Sequence, residues 1–213
     1  MAKRKKKAGK KSIYSVHPGV AMLQKWIAEL PEKTGRSLEQ WVAFVRKEGP
    51  PEEKDRRVWL KEKHGLGTNT AWWIAERACG TKITFDHEPE TYLAEAEKFV
   101  EDMFAGPKAA LKPIYEKLLG LGFALGDDVR VCPCQTIVPF YRNHVFAQVK
   151  PTTQTRIDFG YALGDTKATG RLIDTGGFAK KDRITHRIPL TSVDDIDDEV
   201  KRWLKTAYER DAK

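Results

Sequence analysis

The sequence predicts an α+β protein, with an N-terminal helical domain followed by a C-terminal antiparallel sheet flanked by helices on one face. Three observations predict it. Apolar residues recur at three- and four-residue spacing through residues 12–110, alternate at every second position between 129 and 190, and return to helical spacing at the C-terminus. The 213 residues, 40% hydrophobic and 32% charged, suffice for a buried core in two parts. The expected division is a basic tail over 1–11, a helical domain over 12–80, a connecting helix within 81–110 and an α+β domain over 111–213.

Met22, Trp26, Ile27 and Leu30 mark a first helix closed at Pro31. Ser37 opens a second, with Gln40 completing a capping box and Leu38, Trp41, Val42 and Val45 forming the apolar stripe; Gly49-Pro50-Pro51 ends it. A third runs from Glu52 to His64 with Val58 and Trp59 inward, and Gly65-Leu66-Gly67 breaks the chain. Thr68 or Asn69 then caps a fourth helix through Ala71, Ile74, Ala75 and Ala78. The segment Arg57–Arg77 has the outline of a helix-turn-helix, but its outward face offers mainly Asn69, Thr70 and Arg77, so a plain helical hairpin is the alternative.

Five of the six tryptophans lie in this region, as suits a small core. Trp72 and Trp73 are adjacent and point about 100° apart on a helix, so one core face does not take both. One of the two is expected to line a pocket or to pack on the second domain.

Tyr92, Ala96, Phe99, Val100 and Met103 make the stripe of a connecting helix, and Ile114, Leu118 and Leu121 that of the next. Strands are expected over 129–134, 136–142, 145–150, 156–163 and 183–190, with a hairpin turn near Asn143. A last helix over 196–210 starts in a cluster of aspartates.

With helices on one face, the sheet's other face is expected to carry Phe146, Gln148, Lys150, Arg156, Asp158, Arg183, Thr185 and Arg187. Cations around an aromatic ring on a sheet stack a base and hold phosphate, as single-strand binders do. The alternative is a Phe146 covered by the N-terminal domain among solvated charges. The stretch from Asp174 to Arg183 combines two glycines with Lys180, Lys181 and Arg183, which suits an anion loop or a plain solvated basic loop. It lacks the spacing of a P-loop.

Asp174-Thr175-Gly176 opens like an aspartic-protease motif but lacks the second glycine-bearing strand such enzymes need. Cys132-Pro133-Cys134 is a Cys-x-Cys, where zinc ribbons use paired Cys-x-x-Cys, so no metal is assigned. Tyr141, Arg142, His144 and His186 are candidates for a polar cluster at one end of the sheet, with His186 on the apolar side as a hydrogen-bonded core residue. Together with Trp72 or Trp73, Cys132 and Cys134, the first three are the material for a small-ligand or enzyme site between the domains. No catalytic motif and no cofactor is assigned, and whether the protein is an enzyme stays open.

The net charge of +8 is unevenly placed. Residues 1–11 hold seven of the 38 basic residues and no acid; without them 31 basic residues face 30 acidic ones. Such a tail attracts polyanions in a salt-dependent way or simply aids solubility. There is no apolar run long enough for a membrane span and no signal-like apolar segment after the tail, so a cytoplasmic location without a membrane partner is expected. Three cysteines at uneven spacing do not make a disulfide framework.

Residues 13–80, with HPGVAMLQKWIAELPEKTGRSLEQWV and LKEKHGLG, resemble a small helical domain of unknown function, and residues 111–210, with VCPCQTIVPFYRNHVFAQVKP and DTGGFAKKDRITHRI, resemble a second such domain. The pair is similar to an uncharacterised bacterial two-domain family, whose second domain also ends some chains labelled as predicted transport proteins. Shorter members of the first family follow the Gly-Leu-Gly turn with a His-Ala element, where Thr68-Asn69-Thr70 stands here. The resemblance implies no activity, cofactor or catalytic residue. The α-β-α order is also similar in outline to frataxin-like and double-wing DNA-binding domains.

The leading expectation is a non-enzymatic binding protein for nucleic acid or another polyanion, using Lys180, Lys181, Arg183, Arg187, Arg156 and Phe146. The alternatives are the inter-domain small-ligand site and a protein-interaction adaptor anchored by Trp72 and Trp73.

Overall fold

The computed structural model describes residues 12–80 and 88–212. The basic tail of residues 1–11 lies outside the described residues, as do 81–87 of the connecting region. The described residues divide into two compact units: one from His17 to Tyr92, and one of residues 93–212 together with residues 12–16.

Four helices build the first unit: α1 (Pro18–Thr34), α2 (Leu38–Glu48), α3 (Glu53–His64) and α4 (Thr68–Cys79). His17 caps α1, its Nδ1 accepting the Gly19 N–H at 2.9 Å, with Pro18 at the first helical position, where its missing N–H costs nothing. Pro31 does not close α1. It sits in the last turn, and the helix ends at Gly35, whose φ of 75° suits a residue without Cβ. The capping box of Ser37 and Gln40 forms as its spacing predicts.

Leu30, Trp41, Val45, Leu60 and Ile74 form the centre of this unit's core. Two expected core residues are displaced: Met22 is 68% exposed and Val58 47%, while Val20, Leu23 and Leu60 take the inward positions. Elsewhere the expected stripes are buried, Leu30 in α1 and Leu38, Trp41 and Val45 in α2. Helix α4 is capped by neither Thr68 nor Asn69; it starts at Thr68, with Gly67 at the cap position and no side-chain cap.

Helix α5 (Pro89–Met103) buries the expected stripe of Tyr92, Ala96, Phe99, Val100 and Met103. A 3₁₀ turn at Gly106–Leu111 leads into α6 (Lys112–Phe123). Six strands follow: β1 (Arg130–Val131), β2 (Val138–Tyr141), β3 (Val145–Pro151), β4 (Ile157–Tyr161), β5 (Ile173–Asp174) and β6 (His186–Leu190). They form one antiparallel sheet in the order β1-β2-β3-β4-β6-β5. The chain ends in α7 (Asp198–Arg210), capped by Asp197.

Val138, Phe140, Val149, Phe159, Tyr161 and Ile188 share one core with Leu118 of α6 and Val200 and Leu204 of α7. Helix α6 comes close enough that a Cβ on Gly122 would stand 2.4 Å from the Phe140 ring. That contact is the reason for glycine on the inner face of this helix. Strand β5, two residues long, is too short for an alternation pattern to reveal.

A β-bulge corrects the placement of Phe146. Tyr141 pairs with Val145 and Phe140 pairs with Ala147, so Phe146 is an extra residue in β3. Both Phe146 and Ala147 face the core, and Phe146 is fully buried, 5.5 Å from the Tyr208 ring and 6.3 Å from that of Phe140. Strict alternation had put Phe146 on the open face and Val145 inside; the extra residue exchanges them. A second break in phase precedes β6, where Thr185 is buried beside His186 and Ile184 turns to the open face.

Candidate functional site

The sheet's open face holds a concavity of about 550 Å³ in the second unit. Its floor is Gln148, Asp158 and Gly160, and Lys150, Arg183 and Arg187 stand around it, with Val145 and Ile184 as its apolar side. Register explains the grouping. Gln148 pairs with Gly160 on β4, Gly160 with Arg187 on β6, and Lys150 with Asp158, so alternate residues of three adjacent strands share this face. A Cβ on Gly160 would stand 2.7 Å from Ile184 Cγ2 and 3.1 Å from Gln148 Cγ. Glycine there keeps the floor low.

Asp158 organises the charges. Its Oδ2 accepts from Arg187 Nη1 at 2.6 Å and from the Thr152 hydroxyl at 2.7 Å, and Arg156 Nε stands 3.1 Å from its Oδ1, off the hydrogen-bond line. One carboxylate thus serves two guanidinium groups, and a surplus of positive charge remains. Asp182 lines the concavity as well.

The loop bordering this face is built by its own backbone. Gly177 O accepts from Lys180 N and Asp182 N, Asp174 Oδ1 accepts the Gly176 N–H at 2.7 Å, and Lys181 takes a left-handed φ of 61°. Asp174 therefore caps its own turn at the exposed edge strand. Lys180 and Lys181 are exposed on this loop, and Lys181 borders a neighbouring hollow of about 650 Å³ with Phe178, Arg183 and Arg210.

Arg183 reaches across to Asp211, whose side chain is 1% exposed. Asp211 also accepts from the backbone of Asn143 at 2.9 Å and of His144 at 2.7 Å, and lies 3.1 Å from His144 Nδ1. His144 is thus a strap between the β2–β3 turn and the end of α7, with its ring otherwise exposed. Arg142 does similar work: its Nε donates to Asp128 at 2.7 Å, and its guanidinium lies 4.2 Å over the Tyr208 ring.

Tyr141, half-buried, keeps company with the two thiols instead. Burial first, and then Cys132 and Cys134, push its hydroxyl up to about 12. Burial likewise pushes Cys132 up to about 12 and Cys134 to about 11, which favours the thiol form of both. Cys132 Sγ donates to the Val16 carbonyl at 3.7 Å. His186 is a core residue: its Nε2 donates to Thr166 O at 2.8 Å, and the Thr185 hydroxyl donates to its Nδ1 at 2.8 Å.

Trp73 packs edge-on against Trp26 at 4.8 Å within the helical unit. Trp72 lines a small hollow of about 280 Å³ between α3 and α4 with Lys54, Arg57 and Lys61, the Arg57 guanidinium lying 5.4 Å from its ring. The structure therefore gathers Arg156, Arg183 and Arg187 on one face with Lys180 and Lys181 beside it. It moves Phe146 to the core and gives Arg142 and His144 to α7. Sequence reasoning missed Val145 and Ile184 on the open face because both breaks in alternation come from pairing, which leaves no mark in composition.

No helix among the described residues is long and apolar enough to cross a membrane. Residues 100–211, just over half of the chain, match the family described as Domain of unknown function (DUF5655), and residues 22–78 match Domain of unknown function (DUF4287). No curated protein and no solved structure matches the chain.

Proposed function

Because the chain belongs to the DUF5655 family, a domain of unknown function, we propose its role from the geometry of the open sheet face: non-enzymatic binding of a polyanion, nucleic acid foremost, through phosphate contacts. The observation that carries this reading is the concavity bordered by Lys150, Arg183 and Arg187, with Lys180 and Lys181 on the adjoining loop. Among the described residues, none of these three lysines has a carboxylate within ion-pairing distance, and Asp158 is shared between two guanidinium groups.

Aromatic stacking is not part of the reading, because Phe146 belongs to the core. Phosphate contacts without stacked bases give binding that tolerates sequence and weakens steeply with salt. The seven basic residues among positions 1–11 add to the positive charge of the chain.

The test is filter binding of the full chain to single-stranded and duplex oligonucleotides and to inorganic polyphosphate, between ~50 and ~200 mM salt. Saturable binding whose logarithm falls linearly with the logarithm of salt supports the proposal, and its absence for all three probes sinks it. A second reading, a small phosphorylated molecule in the same concavity, is favoured by the volume of about 550 Å³, which lies within the range of small-ligand sites. Competition by nucleoside phosphates separates the two.

A further inference from the structure

The helical unit carries its own cluster of cationic and hydroxyl side chains, apart from the sheet face. Its centre is Arg36, in the α1–α2 connection. The guanidinium carbon lies 4.0 Å from the Phe44 ring centroid and 4.8 Å from that of Trp41, so two aromatic rings attract and hold the cation. Among the described residues no carboxylate pairs with it and no carbonyl accepts from it. An arginine held against two rings and free of acid and carbonyl partners keeps its N–H groups for an oxyanion.

The edge belongs to a hollow of about 630 Å³ between the α1–α2 and α3–α4 connections, lined by Lys33, Arg36, Trp41, His64 and Thr70, among others. Among the described residues no aspartate or glutamate lines it, although Glu29 pairs with Lys33 Nζ at 2.6 Å; the sheet concavity includes Asp158 and Asp182. The Thr70 oxygen accepts from Trp26 Nε1 at 3.1 Å, which leaves the hydroxyl proton to donate. Thr34, by contrast, is saturated: it accepts from Trp41 Nε1 at 2.7 Å and donates to Leu30 O at 2.7 Å.

His64 completes the cluster. Its ring stands 4.4 Å from Trp59, 5.1 Å from Phe44 and 5.7 Å from Trp41, and its Nε2 is sealed without a hydrogen-bond partner. Burial, and then the charge of Arg36, lower its pKa.

We propose that this hollow binds a phosphate group, gripped by the Arg36 guanidinium and the Thr70 hydroxyl, with Lys33 and His64 at its border. The inference stands apart from the sheet-face reading, because it uses residues of the other unit only.

The experiment titrates inorganic phosphate into the ¹⁵N-labelled full chain and follows amide and Arg side-chain resonances. Saturable shifts at residues 33–36 and 64–70 are expected, with R36Q weakening this phosphate-dependent response at least about tenfold. Shifts only in the sheet unit, or none, overturn the proposal, as does an R36Q variant that folds and binds as before. Should R36Q fail to fold, T70V decides: loss of about threefold or more in affinity supports the site, and unchanged binding refutes it.

Discussion

Arg187 Nη1 lies 2.6 Å from Asp158 Oδ2, a diagonal pair across β4 and β6 on the sheet's open face. Asp158 is 8% exposed, and Arg156 and Thr152 crowd the same carboxylate. The pair sets both the stability of that face and how much of its positive charge reaches an anionic ligand.

Asp158→Asn therefore has two opposed effects. It leaves two guanidinium groups without their shared charge and costs about 1–3 kcal/mol of stability. It also frees that charge, so oligonucleotide binding strengthens. Urea unfolding and filter binding on the same preparation read both, and a loss of affinity in the folded variant would place the ligand elsewhere.

Lys150 tests the face more simply, since among the described residues no carboxylate pairs with it. K150Q is expected to leave the melting temperature unchanged and to reduce the slope of log affinity against log salt by about one. An unaltered slope removes Lys150 from the contact surface.

Phe146→Ala separates core from ligand contact. The ring is fully buried against Phe140 and Tyr208. Truncation is expected to cost about 3–5 kcal/mol, while the fraction that stays folded binds polyanions as before. Selective loss of binding with full stability would contradict the bulged register.

Asp211 holds two backbone N–H groups, His144 and Arg183 with a side chain only 1% exposed. D211A strands these donors, and about 2 kcal/mol or more of stability is lost, allowing for the half-exposed Arg183. Hydrogen exchange should show the β2–β3 turn and the last turn of α7 opening together; protection retained in both would refute the strap.

The helical unit is expected to weaken in acid. Burial lowers the pKa of His17 and of His64 below the ordinary 6.5. Their unfolded forms take up protons first, so the stability they contribute is full above 6.5 and is lost as pH falls through the folded values. At His17 protonation must also displace the Gly19 N–H from Nδ1. Urea midpoints by tryptophan fluorescence at pH about 7.5 and about 5.5 measure this, and H64Q should flatten the difference. An identical slope in H64Q would exclude His64 as a source.

The sequence alone was sufficient for the α+β class, the helical first half, the capping box at Ser37 and Gln40, and the buried stripe of α5, because each depends on spacing within one element. Tertiary structure decided which cations are spent and which are available. Arg142 and His144 look like ligand residues in a polar turn, yet Asp128, Tyr208 and Asp211, more than 60 positions away in part, claim them. The bulge at Phe146 depends on how two strands pair, and one extra residue reverses which side chains face the core. Arg36 gave no signal in the chain itself; only the folding of α2 beneath it lays its guanidinium on two rings. Local periodicity records which residues avoid water, whereas partners for charge are chosen by distance in space.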